Sequence, residues 1–221
     1  MDNLSGKDDP FAAARQRMVR EQLSEFPLHV LAVMGQVPRH EFIPTEKLAS
    51  AYAGIAVPIG YGQTISQPYI VALMTTQINP QPADRVLEIG SGSGYQAAVL
   101  APLVAEVFTI EIIEPLARRT VATLHRLGCN NVLLRLGDGY AGWPEAAPFD
   151  AVIATCAPEF VPAPLMAQLK DGGRMLIPVG PAGDQDLFVF EKHAGRLVEH
   201  ARLPVRFVPM TGQVEHSHST D

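Results

Sequence analysis

The sequence predicts an α/β fold: a doubly wound, mostly parallel seven-stranded sheet with helices on both faces and extra helices at the N-terminus. Apolar runs of strand length alternate with helical segments after residue 81, as in repeated βα units. One of these runs ends in an acid and a glycine-rich turn. Hydrophobic residues make up 47% of the 221 positions, which is enough for one large core. Together these observations favour a single α/β domain.

The predicted domain covers residues 11–212. An N-terminal helical segment at 11–80 precedes the sheet-bearing core at 81–212. Residues 1–10 are polar and acidic and are expected to be disordered, and the polar tail at 213–221 is expected to be loose.

The segment before the sheet is predicted to be helical, with breaks at proline and glycine. Helices are expected at 11–26, at 28–36 before Pro38, and at 68–78, where Pro68 suits a first turn. The Pro- and Gly-rich stretches at 39–44 and 51–61 are expected to form loops or short extended pieces.

The core is predicted to alternate strands and helices. Parallel strands are expected at 85–89, 106–110, 132–136, 150–154 and 173–178, with helices at 95–103, 114–127 and 161–169. Two further strands, at 186–192 and 202–208 with a turn at Gly195, are expected to be antiparallel to each other.

Composition narrows the function classes. The net charge is −6 and no Lys/Arg-rich run occurs, so no nucleic-acid partner is expected. No apolar run reaches membrane-spanning length and residues 1–20 lack a signal-peptide pattern. The two cysteines do not make a disulfide framework. We therefore expect a cytoplasmic protein without membrane contact, and a monomer.

The stretch VLEIGSGSGY at 86–95 is the most informative motif. Its glycines let the chain turn sharply after a buried strand and approach a ligand closely. A dinucleotide fingerprint would place a third glycine or alanine at Tyr95, so the observed spacing is G-x-G-x-G instead. The motif predicts a nucleotide-like cofactor at the carboxyl edge of the sheet.

Acids at neighbouring strand ends support this prediction. Glu88 lies just before the first glycine, Glu111 ends the next strand, and Asp138 follows the third strand between two glycines. A carboxylate such as Glu111 can accept both ribose hydroxyls. For Asp138, a plain Asp-Gly turn is the alternative.

Other chemistries receive little support from the residues. Ser91 and Ser93 lack the setting of a nucleophile elbow, and Cys156 has no base or positive neighbour in sequence and is interpreted as a packing residue. His193 and His200 are interpreted as exposed residues, the tail histidines lack further ligands, and no metal site is expected.

The stretch GQTISQP at 62–68 is the second informative motif. Ser66 or Gln67 alone could be a helix cap and nothing more. The chain as a whole, however, resembles the bacterial protein-L-isoaspartate (D-aspartate) O-methyltransferases, within the Rossmann-like S-adenosylmethionine (AdoMet) methyltransferases. The resemblance spans residues 15–211 and rests mainly on 62–68, 86–95, 137–139, 142–151, 169–180 and 205–209.

The resemblance implies a repair activity. Such enzymes methylate the free carboxyl of L-isoaspartyl, and in some cases D-aspartyl, residues of damaged proteins and peptides. AdoMet is the methyl donor and S-adenosyl-L-homocysteine the product. The methyl ester then collapses to a succinimide, whose hydrolysis returns some normal aspartate.

The resemblance also implies roles for individual residues. Ser66 matches the active-site serine and would orient the acceptor carboxylate. The other residues expected to contact the cofactor are Thr64, Ile65, Glu88, Gly90, Ser91, Gly92, Gly94, Glu111, Asp138 and Gly139. The residues expected to form the substrate side, besides Ser66, are Ala157, Pro158, Arg206, Phe207 and Val208.

Two positions depart from the family pattern. The segment after Glu111 is longer or more basic in many relatives, and Cys156 stands where a small alanine is common. An AdoMet-dependent methyltransferase of another carboxylate and a non-catalytic AdoMet-binding protein remain as alternatives. The family also has an unusual order of its last two strands, which the sequence does not test.

Overall fold

A seven-stranded sheet forms the centre of the computed structural model, which describes residues 9–212. A separate two-stranded hairpin precedes it. The strands are β1 (Val57–Gly60), β2 (Gln63–Ile65), β3 (Arg85–Ile89), β4 (Glu106–Glu111), β5 (Val132–Leu136), β6 (Phe149–Ala154), β7 (Leu169–Val179), β8 (Gln185–His193) and β9 (Arg196–Val205). The helices are α1 (Ala12–Gln22), α2 (Leu28–Gln36), α3 (Pro68–Gln77), α4 (Tyr95–Leu100), α5 (Glu114–Arg126) and α6 (Ala163–Gln168).

The sheet order is β5-β4-β3-β6-β7-β8-β9. Strands β3 to β7 pair in parallel, and β8 is antiparallel to both of its neighbours. The direction of winding reverses beside β3, which is where open α/β sheets bind ligands. The predicted doubly wound, mostly parallel sheet is confirmed, and its last two strands follow chain order.

Alternation along β3 shows how the sheet is buried on both faces. Val86 packs with Met74 of α3 and Leu100 of α4 on one face. Leu87 packs with Leu165 of α6 on the other face. Since successive side chains of a strand point to opposite faces, two helical layers cover one continuous apolar strand.

The N-terminal segment is tied down by buried polar groups. The Arg15 side chain is 2% exposed and lies 2.7 Å from the carboxylate of Asp9. Its guanidinium also donates to the Gly35 carbonyl. Asp9 belongs to the stretch predicted to be disordered; residues 1–8 and the predicted loose tail at 213–221 lie outside the described residues.

Several predicted boundaries are wrong. Helix α1 ends at Gln22 rather than at 26. The stretch predicted as a loop at 39–44 contains the 3₁₀ turn Arg39–Phe42, and a second 3₁₀ turn, Thr45–Ser50, follows it. The stretch at 51–61, predicted as loop or short extended pieces, contains the short strand β1. Strand β9 begins at Arg196 rather than at 202. Its first half is mostly exposed and polar, so its hydropathy resembles that of a loop. The predicted turn at Gly195 is confirmed, with φ of 77°.

Among residues 9–212, no helix combines the length and the apolar character needed to cross a membrane.

Candidate functional site

The turn after β3 requires glycine at two positions. Gly90 has φ of 88°, and a Cβ there would lie 2.7 Å from Oγ1 of Thr155. Gly94 has φ of 87°, and a Cβ there would lie 2.6 Å from Cγ2 of Thr120. Positive φ and the absence of space both exclude a side chain. The turn therefore brings its backbone directly against β6 and α5.

Glu111 organises this turn from the end of β4. One carboxylate oxygen accepts a hydrogen bond of 2.7 Å from the backbone N–H of Gly92, and the other accepts one of 2.9 Å from Ile113. The Ser91 hydroxyl lies 3.4 Å from the first oxygen. Only 5% of Glu111 is exposed, so the carboxylate is fixed at the strand end before any ligand binds.

A cleft of about 860 Å³, including its opening to solvent, lies over the carboxyl ends of β3 and β4. Most of the residues predicted to contact a cofactor line it. They are Thr64, Ile65, Gly90, Ser91, Gly92, Glu111 and Gly139. The predicted catalytic residue Ser66 lines the cleft as well. The glycine turn, the strand-end acid and the β2 segment therefore meet in one cavity, as the sequence predicts.

The cleft has apolar walls that the sequence analysis missed. Ile112 and Ile113 follow Glu111 directly and line the cleft, and Ile112 is 41% exposed. Met210 lines it from the C-terminal segment. An isoleucine directly after a strand-end acid is the sequence signal for this wall, because ligand-binding pockets are lined mainly by apolar side chains.

Three predicted cofactor residues do not line the cleft. Gly94 is the N-cap of α4 behind the turn. Asp138 accepts a hydrogen bond of 2.9 Å from the Tyr140 backbone N–H and caps the short 3₁₀ turn Gly139–Ala141. The Asp-Gly turn that the sequence left open as an alternative is therefore present. Asp138 also packs against Gly212, where a Cβ would lie 2.5 Å from its carboxylate.

Glu88 is the third of these residues, and it lies beneath the turn. Its side chain is fully buried and accepts a hydrogen bond from the Thr109 hydroxyl of β4. Its other carboxylate oxygen has no hydrogen-bond partner among residues 9–212. Burial raises the pKa of Glu88 to about 8, which the bond from Thr109 opposes. Glu111, rather than Glu88, bonds to the turn.

A second cavity adjoins the first. It measures about 1310 Å³ including its opening, and the predicted substrate-side residues Arg206, Phe207 and Val208 line it. Four residues belong to the walls of both cavities, namely Thr64, Ser66, Thr155 and Val208. The two cavities therefore share a boundary at which groups bound in each would meet.

Ser66 lies on this boundary, between the end of β2 and the start of α3. The N-cap of α3 is Gln67, and its side chain forms no capping hydrogen bond. Of the two candidates for a helix cap, Gln67 occupies the N-cap position, whereas Ser66 precedes it and lines both cavities.

The segment after β9 is held in place by Gln185, which sequence analysis did not single out. Its buried amide accepts a hydrogen bond of 2.7 Å from the Phe207 N–H and donates one of 3.3 Å to the Phe207 carbonyl. Asp184 and Asp186 flank it and line the second cavity. No motif marks these residues, because β8 and the final segment meet only in the folded chain.

Ala157 and Pro158 do not line either cavity, contrary to prediction. Ala157 is buried, and its backbone pairs with the final segment: its N–H donates to Val208 and its carbonyl accepts from Met210, both at 2.8 Å. The Pro158 carbonyl accepts from Gly180 at 3.1 Å. Ala157 therefore supports the final segment, which lines the cavities, without lining them itself.

The first cleft offers no strong base near neutral pH. Burial and then the charges of Glu111, Asp138 and Glu88 raise the pKa of the Cys156 thiol to about 12. Burial also raises the pKa of Tyr95 to about 12. Cys156 is therefore a neutral thiol rather than a nucleophile. The carboxylate of Glu111, the acid that lines the cleft, favours a positively charged ligand.

Comparison with known proteins decides the family. The model of the family "Protein-L-isoaspartate(D-aspartate) O-methyltransferase" matches residues 16–215. The chain belongs to this family. The chain is 56% identical over 186 residues to protein-L-isoaspartate O-methyltransferase 2 of Polaromonas sp., a match that covers 83% of this chain and 88% of the relative. It is 55% identical to the enzyme of Opitutus terrae, with 89% and 86% covered.

Solved structures of the same family share the fold. A protein-L-isoaspartate O-methyltransferase superimposes with a TM-score of 0.83 at 29% identity, over 92% of this chain and 67% of that one. A putative family member from Plasmodium falciparum, solved in complex with S-adenosyl-L-homocysteine, superimposes with a TM-score of 0.77 at 23% identity, over 92% and 99%. The resemblance inferred from the sequence motifs is confirmed.

Proposed function

We propose that this chain transfers the methyl group of AdoMet to the free carboxyl of L-isoaspartyl residues in damaged proteins and peptides. The proposal rests on the junction of two cavities at Ser66, both of which open to solvent and the first of which has the features of a nucleotide cofactor cleft. Membership of the family and identity to named relatives at more than half of the aligned positions support the acceptor class.

The residues of the first cleft fit AdoMet. The Glu111 carboxylate would accept hydrogen bonds from the ribose hydroxyls. The backbone of the glycine turn would hold the methionine portion, and Ile112 and Gly139 would flank the adenine end. Bound AdoMet supplies an electrophilic methyl group on a positively charged sulfur and leaves as S-adenosyl-L-homocysteine.

The protein's main task is to position the two reactants. The acceptor carboxyl has an ordinary pKa near 4 and is already ionised at neutral pH, so no base is needed. The Ser66 hydroxyl would donate to one carboxylate oxygen and leave the other aimed at the methyl carbon. Ile65 and Val208 would exclude water from the junction. In-line positioning of this kind accounts for large rate enhancements.

The steps after methylation need no residue of the chain. The backbone nitrogen that follows the methylated residue attacks the ester, methanol leaves, and a succinimide forms. Hydrolysis of the succinimide gives a mixture of aspartyl and isoaspartyl products. Repeated methylation then converts more of the damaged form into the normal one.

The test is transfer of labelled methyl from AdoMet to a short peptide that contains one L-isoaspartate, with the aspartyl peptide as its matched control. Base-labile label on the isoaspartyl peptide alone is the expected result. Label on neither peptide, while AdoMet still binds, would replace the proposal with a different carboxylate acceptor or a non-catalytic binder. A D-aspartyl peptide in the same assay tests the wider acceptor range.

We further propose that the enzyme works as a monomer in the cytoplasm, without a nucleic-acid partner. Both cysteines are free, which suits a reducing compartment. The net charge of −6 disfavours binding to a phosphate backbone. Light scattering after size exclusion should give the mass of one chain, 23.9 kDa.

A further inference from the structure

Three side chains lie together near the turn that joins β8 to β9, and none of them has a role in the proposed function. Glu191 and His193 are two residues apart on β8, so they point to the same face. His200 lies on β9, at a register shift where Ala201 pairs with Val189 and Glu199 pairs with Phe190. His200 is thus the extra residue of a bulge, and such residues often re-aim a side chain.

The bulge turns the His200 ring toward Glu191. Its Nε2 lies 3.5 Å from one oxygen of Glu191, and Nε2 of His193 lies 2.8 Å from the other. One ligand atom from each of the three residues falls within 4.8 Å of the other two. Tetrahedral ligands at the Zn–N distance of about 2.0–2.1 Å are separated by about 3.3 Å, so small side-chain shifts suffice to place all three around one ion.

Exposure favours access by an ion. The side chains of His193 and His200 are 53% and 48% exposed, whereas that of Glu191 is 20% exposed. The carboxylate is therefore anchored at the base of the cluster, and both imidazoles face solvent. A water molecule can supply a fourth ligand, as it does in three-ligand zinc sites.

One positive group lies close by. Arg174 pairs with Glu191 across β7 and β8, and its Nε lies 3.7 Å from the Glu191 carboxylate. The same guanidinium donates a hydrogen bond of 2.9 Å to the Gln77 carbonyl at the end of α3. This second bond holds Arg174 beside the cluster rather than within it. Its charge, beside the same Glu191 oxygen that lies near His200, lowers the affinity of the cluster for a cation.

We propose that Glu191, His193 and His200 bind one divalent cation of the zinc class. Imidazole nitrogen with a single carboxylate suits such ions better than Mg²⁺ or Ca²⁺, which prefer oxygen ligands. The ion would cross-link β8 to the sheet-edge strand β9. Gln185, which holds Phe207 in the second cavity, begins the same strand β8. The ion would therefore stabilise the hairpin at the His193 end of β8, which is remote from the two cavities.

The test is calorimetric titration of the full-length, tag-free and metal-free chain with Zn²⁺, together with thermal unfolding with and without Zn²⁺. We expect one ion per chain and a raised melting temperature, because a ligand that binds the folded state stabilises it. His193→Gln, His200→Gln and Glu191→Gln should each weaken binding at least tenfold and abolish the thermal shift.

Two controls separate this site from other histidines. His125→Gln removes an exposed histidine of α5 and should leave binding unchanged. The double variant His216→Gln, His218→Gln removes the tail histidines and should also leave binding unchanged. Arg174→Gln should tighten binding, since a positive charge beside Glu191 is removed.

The proposal is overturned if Zn²⁺ does not bind stoichiometrically, or if the three ligand variants bind as the parent does. It is equally overturned if only the double tail variant loses binding. The melting temperatures of the metal-free variants test whether each variant remains folded. We expect little change for the two histidine variants, because both side chains are half exposed and contribute little to packing.

Discussion

A carboxylate oxygen of Glu111 lies 2.7 Å from the backbone nitrogen of Gly92 and joins the end of β4 to the glycine turn after β3. The second oxygen bonds to Ile113 on its own chain segment. The acid that is proposed to hold the ribose thus also fixes the loop that is proposed to hold the methionine portion. Loss of Glu111 should therefore weaken the binding of the ribose and of the methionine portion at the same time.

Glu111→Ala should weaken AdoMet binding at least tenfold, measured by calorimetry. A hydrogen bond to a charged group contributes about 1.5–3 kcal/mol, and about 1.4 kcal/mol changes affinity tenfold. The matched control is Glu114→Ala, which removes an exposed acid three positions away. Unchanged affinity in the Glu111 variant would refute its assignment to the ribose.

Gly90→Ala should destabilise the fold more than Gly128→Ala. Both glycines have positive φ, of 88° and 72°, so alanine is strained at each. Only at Gly90 does the new Cβ meet another atom, Oγ1 of Thr155; the space at Gly128 is open. Chemical denaturation should show an extra loss of about 1–3 kcal/mol at Gly90. Equal losses would mean that the turn can move away from β6.

Glu88→Gln should change how stability depends on pH. Burial raises the pKa of Glu88 from 4.5 to about 8, so the folded state binds more protons than the unfolded state between these values. The contribution of Glu88 is fully present below pH 4.5 and is lost as pH rises through about 8. The glutamine variant, neutral at every pH, should lose less stability than the parent between pH 5 and pH 8.5.

Denaturation at a series of pH values tests this expectation. Glu46→Gln, at an exposed position, is the control and should follow the parent curve. Parallel curves for the parent and the Glu88 variant would show that Glu88 titrates as an ordinary acid.

Cys156→Ala should retain most of the methyl transfer activity, because a thiol with a pKa of about 12 is neither nucleophile nor base at neutral pH. Iodoacetamide should modify neither cysteine of the folded protein at pH 7.5, since burial also raises the pKa of Cys129. Mass spectrometry before and after denaturation measures this. Rapid labelling of Cys156 in the native protein would contradict the raised pKa of its thiol.

Ser66→Ala should lower the turnover number by about 10- to 100-fold and leave AdoMet affinity nearly unchanged. The estimate follows from the loss of one hydrogen bond to a carboxylate, about 1.5–3 kcal/mol. Ser24→Ala, at an exposed position, serves as the control. Equal losses of turnover, affinity and stability would assign Ser66 a structural role instead.

Local sequence predicted the parts of the site that lie within one strand and turn. The spacing of Gly90, Gly92 and Gly94 after a buried strand predicted the turn, and Glu111 was placed correctly because strand-end residues of parallel neighbours meet at one edge. The segment 64–66 was placed by family resemblance rather than by periodicity.

Contacts between distant segments were not predictable in this way. Glu88 carries the expected residue type, but its side chain is fully buried, accepts a hydrogen bond from Thr109 of the neighbouring strand and does not line the cleft. The β9 bulge breaks the two-residue alternation that marks a strand. The sequence pattern therefore does not predict that His200 meets Glu191 in the folded hairpin.

The most direct test of the proposed function is to measure the repair of an isoaspartyl peptide. A peptide with one L-isoaspartate is incubated with the protein and AdoMet through repeated cycles of methylation and hydrolysis, and its isoaspartyl and aspartyl forms are separated by chromatography. We expect the isoaspartyl form to decline and the aspartyl form to accumulate only when AdoMet is present. An unchanged isoaspartyl fraction, with AdoMet bound to the folded protein, would contradict the proposed function.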